Sequence, residues 1–222
     1  MTSFAVRTFS GSAADFHARV LPDDVASEVW VFDVARPALV LGSRQRPDDV
    51  VDLAACERAG VEVVRRRSGG GVVLLQPGEV VWFDVVVPAA RLHAAEVADD
   101  VAASMTWLGW HVGSALAALG VDGLDVHRGA MACSDWCPLV CFAGIGPGEV
   151  LREGVKLVGI SQRRSRAGSR FQCAVHVAWR PGELVPLLRA DVPAGALPPV
   201  AELAADVARA LPGAVAASLE AS

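Results

Sequence analysis

The chain has 222 residues, of which 53% are hydrophobic and 20% charged, a balance that suits one compact domain, or one with a small appendage, and excludes a disordered chain. The net charge of −5 argues against a general nucleic-acid binder. No run of about 18 uncharged apolar residues appears, so no membrane span is expected. Residues 1–7 lack the basic start and apolar core of a secretory signal, and the five cysteines are an odd number. Both point to a reducing cytoplasm and free thiols rather than a disulfide frame.

In chain order, residues 3–10 and 28–33 read as strands, the second with Val29 and Val31 alternating with Trp30 and Phe32. A short strand at 38–41 ends at Gly42. Residues 48–59 read as a helix capped by Asp48 or Asp49 and stopped by Gly60. Strands follow at 61–65, 72–75 and 80–87, the last two split by the turn signal Pro77-Gly78. Residues 92–119 form the longest helical stretch, with an apolar face through Val97, Val101, Met105, Leu108, Val112, Leu116 and Leu119. Further strands are read at 121–127, 140–142, 149–151, 156–163 and 171–177. Short closing helices are read at 183–188 and 200–211. A Pro- and Gly-containing linker at 192–199 suggests a domain over residues 1–190 and a short helical extension over 191–222. Strands dominate without strict βαβ alternation. That predicts an α+β fold with a mixed, mostly antiparallel sheet and flanking helices.

Three constellations could carry chemistry. Arg65, Arg66, Arg67, Ser68, Gly69, Gly70 and Gly71 combine fixed positive charge with a backbone free to approach a ligand. The spacing is neither that of a P-loop nor the dinucleotide fingerprint, and a glycine-rich connection with solvated arginines is the alternative. Lys156 is the single lysine beside nineteen arginines, and it starts an apolar strand flanked by Gly154 and Gly159. An ammonium facing a partly apolar pocket can neutralise a phosphate or polarise a carbonyl, whereas a strand-end lysine can equally reach solvent. Cys133, Cys137 and Cys141 are spaced by four, but Pro138 argues against a helix and no histidine lies at a usual zinc spacing, so no metal site is expected. Cys141 ends an apolar stretch before a glycine-rich turn and is a candidate nucleophile. Cys56 and Cys173 read as buried thiols. The five histidines form no nucleophile–base pattern.

The segment from Arg65 to Gly71 resembles the Arg-Arg-x-Ser/Thr-Gly-Gly-Gly signature of the lipoate-protein ligase and octanoyltransferase family. Gly154 to Gln162, with Lys156, Gly159, Ser161 and Gln162, is similar to that family's Gly-x-Lys-x-x-Gly-x-x-Gln segment, whose lysine is the central catalytic group. Leu39 to Gln45, with Gly42 and Gln45, is similar to its short Leu-Gly-x-x-Gln strand and turn. The motifs occur in the family's order, and the likeness runs from about residue 28 to 178. It implies the catalytic-domain fold shared with biotin-protein ligases, with a sheet folded round an acyl tunnel. It also assigns the arginines, Ser68, the three glycines, Gly42, Gln45, Gly159, Ser161 and Gln162 to substrate binding. Cysteine-dependent octanoyltransferases carry a Cys-Phe pair where Cys141-Phe142 stands, while the ATP-dependent ligases more often carry Asn-Asp. Departures are Leu75 and Gln76, where many relatives have His-Asp, and an unrecognisable opening helix motif near residues 15–20.

The resemblance implies transfer of an octanoyl or lipoyl group to a lysine of a lipoyl domain, either of a 2-oxoacid dehydrogenase or of the glycine cleavage H protein. The donor would be an acyl-carrier protein, with a thioester on Cys141, Lys156 assisting, and no cofactor. An ATP-dependent ligase acting through lipoyl-adenylate, with Mg²⁺, is the alternative. A non-catalytic protein that binds an acylated carrier is a second alternative.

Overall fold

The computed structural model describes residues 3–221. Its large sheet has seven strands in the order β1 (Ala5–Gly11), β2 (Glu28–Val34), β6 (Val80–Pro88), β12 (Gly168–His176), β11 (Val155–Arg164), β10 (Val150–Arg152) and β7 (Leu124–Val126). β1 runs parallel to β2, and every other pair is antiparallel. A second sheet sets β3 (Ala38–Leu41) between a parallel β4 (Glu62–Arg65) and an antiparallel β5 (Val73–Leu75). β8 (Ala132–Cys133) and β9 (Gly144–Ile145) form a separate ribbon. The mixed, mostly antiparallel α+β architecture is the one the sequence pattern predicts.

Alternation along the strands decides the two faces of the large sheet. Val29, Phe83, Val85, Phe171, Cys173 and Val175 all point to one side and join the main core. There they meet the helices α5 (Val101–Ala118) and α7 (Ala205–Glu220), which supply Leu108, Val112, Leu116, Leu211, Val215 and Leu219. Trp30, Phe32 and Trp82 point to the other side and pack against α1 (Ala13–Ala18) and the second sheet. The candidate site lies on this second side, between the sheets.

Several elements differ from the sequence reading for identifiable reasons. The predicted helix over 48–59 is two short helices, α2 (Pro47–Val50) and α3 (Leu53–Arg58). Val51 leaves the first to bridge Leu188, and Asp52 caps the second by accepting from the Ala55 amide at 2.9 Å. The stretch 92–119 is likewise two helices, α4 (Ala89–Ala94) and α5. Glu96 adopts a left-handed φ of 56°, and Asp100 caps α5 through the amides of Ala102 and Ala103. Residues 140–142, read as a strand, hold only a bridge at Val140 followed by a 3₁₀ turn over Cys141–Ala143. The short helix α6 (Pro181–Leu184) runs into a second 3₁₀ turn, and the last helix begins at Ala205 rather than at 200. That last helix supplies Ala208, Leu211, Val215 and Leu219 to the main core. Among the described residues, no helix is long and apolar enough to cross a membrane.

The cysteine reading needs one correction. Cys133 and Cys137 form a disulfide, whereas Cys56, Cys141 and Cys173 are free. The turn after β8, closed by the Cys137 amide donating to the Ser134 carbonyl at 3.1 Å, folds Cys137 back onto Cys133. The two Cα atoms stand 5.3 Å apart, within disulfide reach. Among the described residues, no group of three or more His, Cys, Asp or Glu side chains is placed to hold a metal ion.

Candidate active site

Lys156 is placed by a two-residue hairpin. Glu153 and Gly154 both have positive φ, 51° and 80°, as a type I′ turn requires, and β11 begins immediately after them. The side chain is only 3% exposed and points inward. Its ammonium donates to the main-chain carbonyl of Cys141 at 3.0 Å and to that of Gly144 at 2.9 Å, and it pairs with Glu149 at 2.7 Å. An ammonium has three protons, so the three partners saturate it. Glu149 is fixed in turn by the amides of Gly146 and Ile160. Phe142 lies with its ring centroid 4.8 Å from the ammonium. A Cβ on Gly159 would come within 3.0 Å of that ring, so the glycine leaves room for Phe142.

The glycine loop meets Cys141 from the other side. Arg66 is buried, and its guanidinium donates to the carbonyls of Val40, Gly69 and Gly71, holding the loop's shape. It lines the same cavity as the Cys141 thiol. Burial pulls the Arg66 pKa down and the Cys141 sulfur opposes that, but a guanidinium remains a cation in any case. Gly70 has φ +98°, and a Cβ there would stand 2.7 Å from the Arg66 Nη2 and 3.5 Å from the Cys141 Sγ. Only a bare backbone lets guanidinium and sulfur share that space.

Gly42 and Gln45 explain themselves as supports for this loop. A Cβ on Gly42 would lie 1.8 Å from the Gly70 carbonyl oxygen. The Gln45 amide accepts from the Gly42 N–H at 3.0 Å and donates to the carbonyls of Pro138 and Leu139 at 3.1 and 3.0 Å. That clamp fixes the chain immediately before Cys141.

Cys141 stands at the junction of two spaces. One is a narrow, mostly apolar cavity of about 50 Å³, walled by Val40, Val73, Leu75, Trp82, Ala174 and Phe142, with Arg66, Ser161, Gln172 and His17 at its polar edges. The other is an open groove of about 560 Å³, lined by the three glycines, Lys156, Glu149, Ser161, Gln162 and the start of α5. Ser68 donates to the Gln172 side chain at 2.7 Å and lies 3.0 Å from the Ser161 hydroxyl. Gln162 is held by Ser104 and Ser169.

Thus Lys156, Cys141, Arg66, Ser68, Gly69, Gly70, Gly71, Gly159, Ser161 and Gln162 come together. Arg65 and Arg67 do not join them: both are exposed, and Arg67 turns to a separate cavity beside Arg163. Glu149, His17, Trp82 and Gln172 also belong to the site. No sequence signal marks them, because His17 meets Gln172 across 155 residues. Leu75 lines the cavity where a histidine would bring a polar edge, and Gln76 bonds Glu183 outside it.

Comparison with known proteins bears on the family and the fold. The family model for the lipoyl protein ligase A/B catalytic domain matches residues 17–208. A curated relative, the octanoyltransferase LipM of Carboxydothermus hydrogenoformans, is 54% identical over 39 residues, which is 18% of this chain and 14% of that protein. Among solved structures, protein Ta0514 of T. acidophilum with bound lipoic acid superposes with a TM-score of 0.73 at 16% identity, covering 99% of this chain and 87% of the other. Lipoate-protein ligase A bound with ATP gives a TM-score of 0.69, also at 16% identity, covering 99% and 86%. At such identity these two likenesses are of fold alone. With 192 consecutive residues matched by the family model (208 − 17 + 1), the chain belongs to the lipoyl protein ligase A/B catalytic domain family.

Proposed function

We propose that this protein transfers a medium-chain acyl group, octanoyl or lipoyl, from a carrier thioester to a lysine of a lipoyl domain through an enzyme thioester on Cys141. The reading places the reaction in the cytoplasm and requires no ATP, because one thioester is exchanged for another of similar energy. The observation that supports it most is the Cys141 sulfur beside the Arg66 cation, where the apolar cavity opens into the groove.

The steps follow from that placement. The Cys141 thiol gives up its proton to solvent and its sulfur attacks the acyl carbonyl carbon, forming the new C–S bond. The oxyanion faces the glycine loop, where the N–H groups of Gly69, Gly70 and Gly71 donate to no other described residue. Collapse breaks the bond to the carrier sulfur, which leaves as a thiolate and takes up a proton. The acceptor amine then enters through the groove and attacks the enzyme thioester. The C–S bond to Cys141 breaks, the sulfur takes up a proton, and the amine loses one to solvent. Lys156 holds the Cys141 main chain throughout. It reaches the acyl carbon only by releasing one of its three partners.

The cavity suits this cargo. From β11, beneath Cys141, to Trp82 on β6 is two strand spacings, about 10 Å. With C–C bonds of about 1.5 Å, an extended chain advances about 1.3 Å per carbon and covers that span in roughly eight carbons.

The test is an incubation with octanoyl-acyl-carrier protein and apo lipoyl domain in the absence of nucleotide. An octanoyl adduct on Cys141 in the intact mass, followed by an acylated lipoyl domain, is expected. Cys141→Ser should lose both, with turnover reduced at least about 10³-fold. Transfer that requires ATP and releases pyrophosphate would overturn the reading.

A further inference from the structure

Beyond the end of the acyl cavity lies a second cavity of about 130 Å³, lined by Arg19, Arg67, Arg163, Arg170 and Ser165. The two cavities share two lining residues, His17 and Gln172. His17 lies flat on Trp82, ring centroids 4.3 Å apart and planes 19° from parallel. Its Nδ1 is 3.1 Å from the Gln172 side-chain nitrogen. Gln172 is held from its other side by Ser68. The helix that carries His17 is fastened to the large sheet by Arg170, whose guanidinium donates to the carbonyls of Phe16 and Arg19. A fixed ring therefore stands between an apolar space and a basic one.

We infer that His17, braced by Gln172, is the end wall of the acyl cavity and sets the longest acyl chain that the site accepts. The inference rests on the acyl-transfer reading for its cargo, but the wall itself is a matter of cavity shape. Trp82 stands two strands from Gly159, against which the residue after Cys141 packs, and His17 covers Trp82, so a chain of about eight carbons that crosses the cavity from the sulfur ends against the imidazole. A longer chain has nowhere to go while the ring is in place. Without the ring, the end of the chain enters the arginine-lined cavity. Burial and the cations Arg170 and Arg66 hold the His17 pKa down near 3, so the wall is uncharged when an alkyl end meets it at neutral pH.

The test separates cavity length from turnover. An n-alkyl methanethiosulfonate reacts with a thiolate to give a mixed disulfide, expelling methanesulfinate, and needs no acyl transfer. Labelling rates at Cys141 are measured by intact mass for butyl, hexyl, octyl, decyl and dodecyl reagents, with Cys141→Ser as the unlabelled control. In the natural protein the rate should fall at least 10-fold between octyl and dodecyl. In His17→Ala the dodecyl rate should recover to within about 3-fold of the octyl rate of the same variant. His17→Asn, which keeps an amide for Gln172 but a shorter reach, guards against a misfolded alanine variant and should move the limit to decyl. An unchanged limit in folded variants, or no limit in the natural protein, overturns the inference. A shifted limit in a protein that transfers no octanoyl group sinks the transfer reading and leaves the wall standing.

Discussion

Two strand-borne cations are buried on the same sheet and are used differently. Arg170 on β12 pairs with Asp84, and its remaining N–H groups fasten the end of α1 by two main-chain carbonyls. Lys156 on β11 pairs with Glu149 and fastens the Cys141 turn by two main-chain carbonyls. Both are positioning devices of the same design, an ion pair plus two carbonyls. They differ in reach and surroundings. Arg170 needs a planar fork to span carbonyls three residues apart, and Asp84 is fully buried. Lys156 presents a compact point of charge at the lip of an open groove, next to the sulfur's own backbone. The comparison explains why a chain with nineteen arginines keeps one lysine there. A guanidinium would be too large for a space walled by Phe142, Glu149 and the Cys141 carbonyl.

The largest effect is expected on breaking the lysine pair. Lys156→Ala leaves the buried Glu149 charge without its partner, a cost of about 3–5 kcal/mol. It also frees the Cys141 turn. Transfer to a lipoyl domain should fall at least about 100-fold in whatever fraction remains folded, judged by urea unfolding alongside single-turnover rates. Lys156→Arg should not restore it. Full activity in a folded Lys156→Ala protein would show that the ammonium only stabilises, as Arg170 does.

The arginine pair should give the converse pattern. Arg170→Lys keeps the charge opposite Asp84 but cannot reach both carbonyls of α1. A loss of about 2–4 kcal/mol in stability is expected. Transfer of an eight-carbon chain should change less than about 5-fold, because Cys141, Arg66 and Lys156 are untouched. If the rate collapses while stability holds, the two cations are not separable in the way their contacts imply.

How much of this could be seen in the residues beforehand depends on whether an interaction is local. The alternation of Val29 and Val31 with Trp30 and Phe32 is a local pattern, and the two sets do separate to opposite faces. Glycines 42, 70 and 71 stand in recognisable motifs, yet their task becomes visible only when Gly70 meets Gly42 and Leu139 meets Gly71. The helix break at Glu96 was hidden by a continuous apolar spacing, although Asp100 carries a cap signal. The Cys133–Cys137 disulfide was hidden because the parity of a cysteine count says nothing about a turn that closes on itself. Glu149 gave no sign, since a carboxylate seven residues before a lysine is ordinary until a hairpin folds one onto the other. His17 sits near the end of a short helix with nothing in the neighbouring sequence to mark it. Only the fold places it against a cavity formed by strands far along the chain.

The smallest effect is a pH dependence that touches both ends of the site. His17 and His176 are buried and neutral, with pKa values pulled from 6.5 to about 3 and about 4. Burial dominates in each case. Arg170 and Arg66 add to it at His17, and Lys156 at His176. In the unfolded chain both histidines take up protons as the pH falls through 6.5, while the folded protein resists until about 4 and 3. The unfolded state then binds more protons, so stability is full above pH 6.5 and is lost on acidification through that window. Between pH 7 and pH 6 the two together cost about 1.4 kcal/mol, at up to about 1.4 kcal/mol per unit for each lower down. Asp84, raised by burial against the pull of Arg170, has the opposite sign and acts in the carboxylate range. Urea midpoints at pH 7 and pH 6 measure the slope. His176→Phe keeps the aromatic contacts with Phe142 and Trp179 and should remove about 0.7 kcal/mol of it, and His17→Asn a similar amount, leaving the part that His111 adds, its pKa also lowered by burial. A slope that neither substitution reduces would show that neither imidazole is kept neutral by the fold, and with it would go the uncharged wall at the end of the acyl cavity.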